Sequence, residues 1–342
     1  MKAIRIHEHG GVDRLLVEEI PSPALRGDEA RVRLHAAGLN HLDLWVRRGI
    51  PGVRFPLPIT PGSDGAGVIA ELGPLVKGFA AGDRVAVAPG ISCGLCEDCL
   101  SGRDNLCKDF GILGEHRDGT CAREIVVPGR NLIPIPPSLS FEEAAAVSLV
   151  FLTAWQMVAD KASVRPGETV LVLGAGSGVG SAAIQIARLH GARVIAAAGS
   201  AAKLAKAAEL GAGEGIDLSR SDLREEVRRI TGRRGADVVI EHVGKATWDQ
   251  SVACLARGGR LVFCGATTGA DVSLNLRQIF FKNLSILGST MGSLSRLFTI
   301  FRHVEAGRLV PVVGRVFPLD RIQEAHRLLE ERGVFGKVIL TL

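Results

Sequence analysis

The 342-residue sequence lacks any uninterrupted apolar run of the kind a membrane span requires, although 46% of its residues are hydrophobic and its mean hydropathy is +0.23. Charged residues recur too often for such a span, which needs about 18 apolar residues in a row. The opening stretch carries Arg5, His7, Glu8 and His9 where an export signal would be apolar, so the cytoplasm is the expected compartment. A long block of one charge is missing as well. The 41 basic and 36 acidic residues leave a net +5 spread along the chain. That balance is too weak to imply nucleic acid; it suits either an anionic small ligand or a mixed, solvated surface. No internal repeat and no low-complexity tract is present. With no export signal, four cysteines crowded between residues 93 and 107 point to a metal and not to disulfides.

A chain of this length exceeds what one hydrophobic core usually supports, so about two domains are expected. Short β segments broken by Gly and Pro occupy the first part: Ala30 to Leu34, Gly67 to Leu72, Arg84 to Ala88 and Glu124 to Val127. They predict an irregular, barrel-like domain over residues 1–130. The texture changes near Pro134, and Ser140 with Glu143 three residues later reads as a capping-box helix start. Thr169 to Leu173 is an apolar, β-branched run suited to a strand buried on both faces, followed by Gly174-Ala-Gly-Ser-Gly-Val-Gly180, a helical pattern from Ala182 to Leu189 and a second strand, Arg193 to Ala197. This is a βαβ unit. Further strands are predicted at Asp237 to Ile240, Arg260 to Phe263 and Leu284 to Leu287, with a helix over Leu223 to Ile230. The fold class is therefore α/β, with a doubly wound parallel sheet over residues 131–289. Helices at Arg296 to Glu305 and Asp320 to Glu331 and a strand at Val338 to Thr341 complete a C-terminal segment, 290–342.

Cys93, Cys96, Cys99 and Cys107 form C-x2-C-x2-C-x7-C in a loop dense with Gly. Short spacings let four thiolates converge tetrahedrally on one ion, and four sulfurs leave no open coordination position, so one structural zinc per chain is expected. An iron–sulfur centre is the rival; the longer last gap and the absence of a trailing Pro depart from the ferredoxin run. Cys121, Cys254 and Cys264 are isolated and read as small buried hydrophobes.

The glycines between a buried strand and a helix let backbone N–H groups approach a pyrophosphate, with the helix dipole favouring the anion. Gly174, Gly176, Ser177, Gly178 and Val179 are the candidate cradle. The spacing is not a strict G-x-G-x-x-G, and the placement inside a βαβ unit is what favours a dinucleotide over a plain tight turn. An acidic residue ending the second strand would bind the adenosine ribose, but that segment reads Ala196-Ala-Ala-Gly-Ser-Ala-Ala-Lys203 and holds no carboxylate. Ser200 and Lys203 suit a ribose phosphate instead, which favours NADPH over NADH. A solvated lysine near a helix start is the alternative for Lys203.

In the order of these segments the chain resembles the medium-chain dehydrogenase/reductase superfamily along essentially its whole length. The resemblance implies a GroES-like β-barrel domain, the four-cysteine lobe, a Rossmann domain and a C-terminal return to the first domain. Alcohol dehydrogenases of that family hold a catalytic zinc with a Cys in G-x-C-x-x-D, a His in G-H-E and a further Cys ahead of the first cofactor-domain helix. Here the matching positions read Gly38-Leu-Asn40-His-Leu-Asp43, then Gly62-Ser63-Asp64, and Leu149. Asn40, Ser63 and Leu149 do not supply zinc ligands. These segments, with the Ala-Gly-Ser-Ala-Ala-Lys loop, are similar to the zinc-free quinone oxidoreductase branch, which normally lacks the cysteine lobe.

The resemblance implies NADPH-dependent hydride transfer to a quinone or α,β-unsaturated carbonyl, with Asn40, Ser63 and Asp64 as the catalytic candidates. It also places His41 at the pyrophosphate, Thr153 beside the nicotinamide, and Arg332 and Lys337 near the cofactor phosphate. Trp45, Phe55 and Phe281 are candidates to line an apolar substrate cleft. Zinc-dependent alcohol dehydrogenation through unrecognised ligands and a non-enzymatic dinucleotide-binding protein are the competing readings. Leu284 to Gly288 reads as an exposed sheet edge, which together with the resemblance implies a homodimer or homotetramer.

Overall fold

The computed structural model describes residues 1–342, which divide into two compact units, Met1–Leu152 with Ser293–Leu342, and Thr153–Gly292. The first unit extends past the change of texture near Pro134 because the helical segment that follows packs on its sheet. Leu132–Pro134 pairs with Arg84–Val87, and the helix Phe141–Ala145 lies on the strands Glu29–Leu39 and Asp64–Leu72. The expected capping box is formed, with Ser140 Oγ accepting the Glu143 N–H at 3.2 Å and the Glu143 carboxylate accepting the Ser140 N–H at 2.9 Å.

The organising strand of the first unit is Glu29–Leu39. One edge pairs antiparallel with Asp64–Leu72. The other is shared: residues 29–33 pair with Glu124–Pro128 and residues 36–39 with Lys337–Thr341. Ala30, Val32 and Leu34 alternate into one core with Ile69, Val85 and Val127, as half-buried strands do. The far half is buried throughout, packing Leu39 with Ile4, Val46, Phe317, Ile322 and Val338. A buried Arg47 ties the helix His41–Arg48 to the helix Ile322–Glu330, pairing with Glu330 and meeting His326 Nδ1 at 3.3 Å.

The second unit is a six-stranded, wholly parallel sheet in the order Glu214–Asp217, Arg193–Ala198, Thr169–Val172, Ala236–Glu241, Leu255–Phe263, Ser285–Gly288. Strand order reverses between Thr169–Val172 and Ala236–Glu241, the switch point of a doubly wound sheet. Val170, Leu171, Val172, Val238, Val239 and Ile240 are all fully buried, which explains their continuous apolar run. The helix Leu223–Ile230 buries Leu223 and Val227, four residues apart on one face, and Asp222 caps it through the Glu225 N–H at 2.9 Å. Ser285–Gly288 is the sheet edge, as expected. No helix of the chain is long and apolar enough to cross a membrane.

Candidate functional site

In the first unit, strand register assembles three side chains that are far apart in sequence. Asp64 stands opposite Gly38 and Val338 opposite Leu39, so Asp64, Asn40 and Lys337 meet at one end of the sheet. Only glycine fits at 38, since a Cβ there would lie 2.3 Å from Ala145 O and 3.2 Å from Lys337 Cε. The Lys337 ammonium donates to Asn40 Oδ1 at 2.5 Å, Asp64 Oδ2 at 2.8 Å and Leu39 O at 2.8 Å, which uses all three of its N–H bonds. Asn40 Nδ2 donates to Asp64 Oδ2 at 3.0 Å and to Gly38 O at 3.3 Å, and Asp64 Oδ1 accepts the Leu149 N–H at 2.6 Å. Asp64 is fully buried, and Lys337 and Asn40 are 4% and 6% exposed, so this is a nearly saturated ion pair out of water.

Two neighbours complete the arrangement. The buried Asp43 carboxylate accepts the Asn40 N–H at 2.7 Å and the Gly62 N–H at 2.8 Å, and burial pushes its pKa up to about 6. Ser63 Oγ donates to Leu113 O at 2.8 Å, so its proton is committed within the chain. At the three positions where the resemblance places zinc ligands, the donors are thus an amide oxygen facing an ammonium, a hydroxyl already bonded, and a leucine. That set does not fit a zinc ion, which takes thiolate, imidazole or carboxylate.

The four cysteines of the lobe do fit one. Their Sγ atoms all lie within 4.8 Å of one another, with Cys93–Cys99, Cys96–Cys99 and Cys93–Cys107 separations of 3.8, 3.5 and 3.6 Å. Four sulfurs at about 2.3 Å from a tetrahedral zinc stand roughly 3.8 Å apart. The N–H groups of Leu95 and Cys96 point at Cys93 Sγ and hold its thiol down to about pKa 6, the kind of outer support that metal thiolates receive. Asp104, beside the last cysteine, anchors the lobe by accepting from Ser293 Oγ at 2.6 Å and from the Leu294 N–H. No other group of three or more Cys, His, Asp or Glu side chains offers ligand atoms this close together.

In the second unit, the buried strand Thr169–Val172 runs into Gly174, whose φ of +54° lies in the left-handed region, and then into the helix Gly178–Leu189. Ser177 caps that helix, its Oγ accepting the Gly180 N–H at 2.9 Å. A Cβ on Gly180 would lie 2.3 Å from Gly174 O, so the turn and helix approach as closely as backbones can. Gly176, Gly178 and Val179 belong to the same turn and first helical turn. Ser200 Oγ caps Ala201–Glu209 through the Lys203 N–H, at the end of Arg193–Ala198 where no carboxylate stands. These features suit a dinucleotide phosphate.

The remaining expected positions scatter. His41 opens the helix His41–Arg48 with its ring edge-to-face on Trp45 at 5.5 Å. Thr153 is buried in Ser148–Trp155, and Arg332 occupies a left-handed turn at φ +54°. Lys337, expected near a cofactor phosphate, is instead saturated by three oxygens of the chain. Phe55 meets His9, whereas Phe281 is 65% exposed on Leu276–Lys282. Two residues escaped the sequence reading. Glu241, fully buried, accepts from the Val243 and Gly244 N–H groups and the Thr247 and Ser251 hydroxyls. His242 lies 2.9 Å from Ser177. Their position just past the strand run Asp237 to Ile240, at the carboxyl end of a parallel strand, was the available signal.

Comparison with known proteins gives a uniform result. Residues 26–137 match the family model described as alcohol dehydrogenase GroES-like domain, and residues 178–306 the one described as zinc-binding dehydrogenase. A solved NAD-dependent alcohol dehydrogenase is 54% identical, covers 100% of both chains and superposes with a TM-score of 0.97. A zinc-type alcohol dehydrogenase-like protein of Schizosaccharomyces pombe is 35% identical over 98% of this chain and 97% of its own. A quinone oxidoreductase of Pongo abelii is 31% identical over 100% of this chain and 98% of its own.

Proposed function

The chain belongs to the medium-chain dehydrogenase/reductase superfamily of oxidoreductases, and from that premise we propose that it uses NADPH to reduce a quinone or α,β-unsaturated carbonyl without a catalytic zinc. The observation that carries this reading is the Lys337–Asn40–Asp64 cluster. An ammonium already sits against the oxygens of Asn40 and Asp64, and no thiolate, imidazole or free carboxylate is left at the vacated ligand positions. The likeness to a quinone oxidoreductase supports the same substrate class.

When bound at the glycine turn, the nicotinamide cofactor supplies the hydride. Delivery to a conjugated carbon needs no Lewis acid, only positioning and hydrogen-bond donors for the developing enolate. Asn40, Ser63 and Asp64 are positioning residues in this reading, because their polar atoms bond within the chain and hold residues 38–43, 62–65 and 149 in fixed register. A phenol is not the proton source, since the chain contains no tyrosine. The preference for NADPH rests on Ser200 and Lys203 in place of a carboxylate after the second strand.

A second reading, alcohol and aldehyde interconversion with NAD, has its own support in the 54% identity to an NAD-dependent alcohol dehydrogenase. Metal analysis and a turnover screen separate the two. One zinc per chain with NADPH-dependent reduction of quinones, enones or enoyl thioesters is the expected result. Two zinc ions per chain with chelator-sensitive alcohol oxidation would replace the first reading by the second, and dinucleotide binding without turnover of any substrate would replace both.

A further inference from the structure

The positive charge of the chain is concentrated in one stretch of the second unit, where six arginines and only three acidic residues stand between residues 220 and 234. Arg224 and Arg228 lie four apart on one face of Leu223–Ile230, a spacing at which like charges repel. Two further cations join them from the neighbouring elements. Lys282 ends the helix Leu276–Lys282 and donates from Nζ to Leu255 O at 2.9 Å, while Arg257 donates from Nη1 to Phe281 O at 2.9 Å. These reciprocal bonds staple the strand Leu255–Phe263 to the helix and hold both cations in place. Leu255 is the first residue of its strand, so the cluster stands at the amino end of the parallel sheet, opposite to the glycine turn that follows Val172.

The four cations feel one another and lack a counter-charge. Burial, then the charge of Arg224 and those of Arg257 and Arg228, hold the Lys282 ammonium below its usual range. Other arginines of this unit are neutralised: Arg193 pairs with Glu214, Arg229 with Glu226, Arg234 with Asp237 and Arg260 with Glu168. Arg224, Arg228, Arg257 and Lys282 pair with no carboxylate, and the Asp222 carboxylate is engaged as the helix cap on the Glu225 N–H. Arg228 also lines an open cavity of about 350 Å³ together with Arg229, Arg233 and Glu225. Arg224 and Arg257 are exposed, and Arg228 and Lys282 half-buried, so a solute can approach the cluster from water. Holding like charges together is unfavourable, and an anion placed among them relieves the repulsion.

We propose that Arg224, Arg228, Arg257 and Lys282 form a binding site for a small anion carrying several phosphate groups, separate from the dinucleotide site at the other end of the sheet. Guanidinium forks match pairs of phosphate oxygens, and the lysine adds a point charge beside them. Arg228 belongs to both the cluster and the cavity, which makes it the residue on which binding depends most.

Inorganic tripolyphosphate is the probe, titrated by calorimetry into the full chain at physiological ionic strength, with and without saturating NADPH. One tripolyphosphate per chain should bind in both cases. Arg228→Gln and Lys282→Gln should each weaken it about tenfold or more, the loss of a hydrogen bond between charged groups, whereas Arg54→Gln, which removes an exposed arginine of the first unit, should leave it unchanged. The probe should raise the melting midpoint of the wild-type chain, as a ligand of the folded state does. Without the probe, Arg224→Gln should melt no lower than the wild type, because it removes a repelled cation from the first turn of its helix. A lower midpoint would mean that Arg224 already has a stabilising partner in the chain and overturns the proposal. So does the absence of binding, an equal loss in Arg54→Gln, or displacement of the probe by NADPH. Tighter binding of citrate than of tripolyphosphate would overturn the phosphate class and make the ligand a polycarboxylate.

Discussion

Replacing Lys337 by Met keeps the length of the side chain and removes its charge. The fully buried Asp64 carboxylate is then left with only the Leu149 N–H and Asn40 Nδ2 as donors, and both Leu39 O and Asn40 Oδ1 lose the ammonium. Breaking one side of a buried ion pair typically destabilises by about 3–5 kcal/mol, chiefly because a charge stays behind without compensation. In a domain of this size each kcal/mol lowers the midpoint by about 2–4 °C, so the transition of the first unit should fall by roughly 6–20 °C. Scanning calorimetry is the assay, because two units need not unfold as one and a single-probe curve would merge them. Adding Asp64→Asn to Lys337→Met removes the stranded charge. The double variant should therefore be more stable than the sum of the two single losses by about 2 kcal/mol or more, as expected for groups in one network. A shift under 2 °C, or additive losses, would refute the view that Lys337 neutralises Asp64.

Cys96→Ala should release the zinc and lower the melting temperature while leaving NADPH affinity of the folded fraction nearly unchanged, because a site closed by four thiolates has no open position; a fully folded chain purified free of metal would count against the lobe. Lys203→Ala should weaken NADPH more than NADH by about 1.5–3 kcal/mol in a direct binding assay, and equal losses would end the NADPH assignment. His326 is fully buried, and burial followed by the charges of Arg47 and Arg48 lowers its pKa to about 3. The unfolded chain binds this proton near pH 6.5 and the folded one does not, so the stability is present above pH 6.5 and is lost as pH falls toward 3. Between pH 7.5 and 5 the group should remove about 2 kcal/mol, which urea titration should find restored in His326→Gln; parallel losses in both proteins would refute it. For assembly, the exposed edge strand Ser285–Gly288 leads us to propose pairing with a second copy, and Ile286→Pro should then shift sedimentation toward monomers, whereas a wild-type monomer at micromolar concentration would remove the proposal.

The features legible in the sequence are those whose geometry is local. Cys93, Cys96, Cys99 and Cys107 converge because short loops bring them together, and Ser140 caps its helix through Glu143 three residues on. The glycine turn follows a β-branched strand that is buried on both faces, and Leu223 with Val227 share one helix face. In each case a few dihedral angles translate spacing into position. The contacts between distant segments were not legible in this way. Lys337 reaches Asn40 across 297 positions and Ser177 reaches His242 across 65, joined only by the pairing of Lys337–Thr341 with Glu29–Leu39 and of Thr169–Val172 with Ala236–Glu241. Residues 131–152 join the first unit through Leu132–Pro134 on Arg84–Val87 and the helix Phe141–Ala145, and residues 293–342 through Lys337–Thr341 on Glu29–Leu39. A one-residue slip in either register would point side chains at the opposite face, and what prevents it is strand burial, in the first unit against a core assembled from both ends of the chain and in the second against one built within residues 171–286.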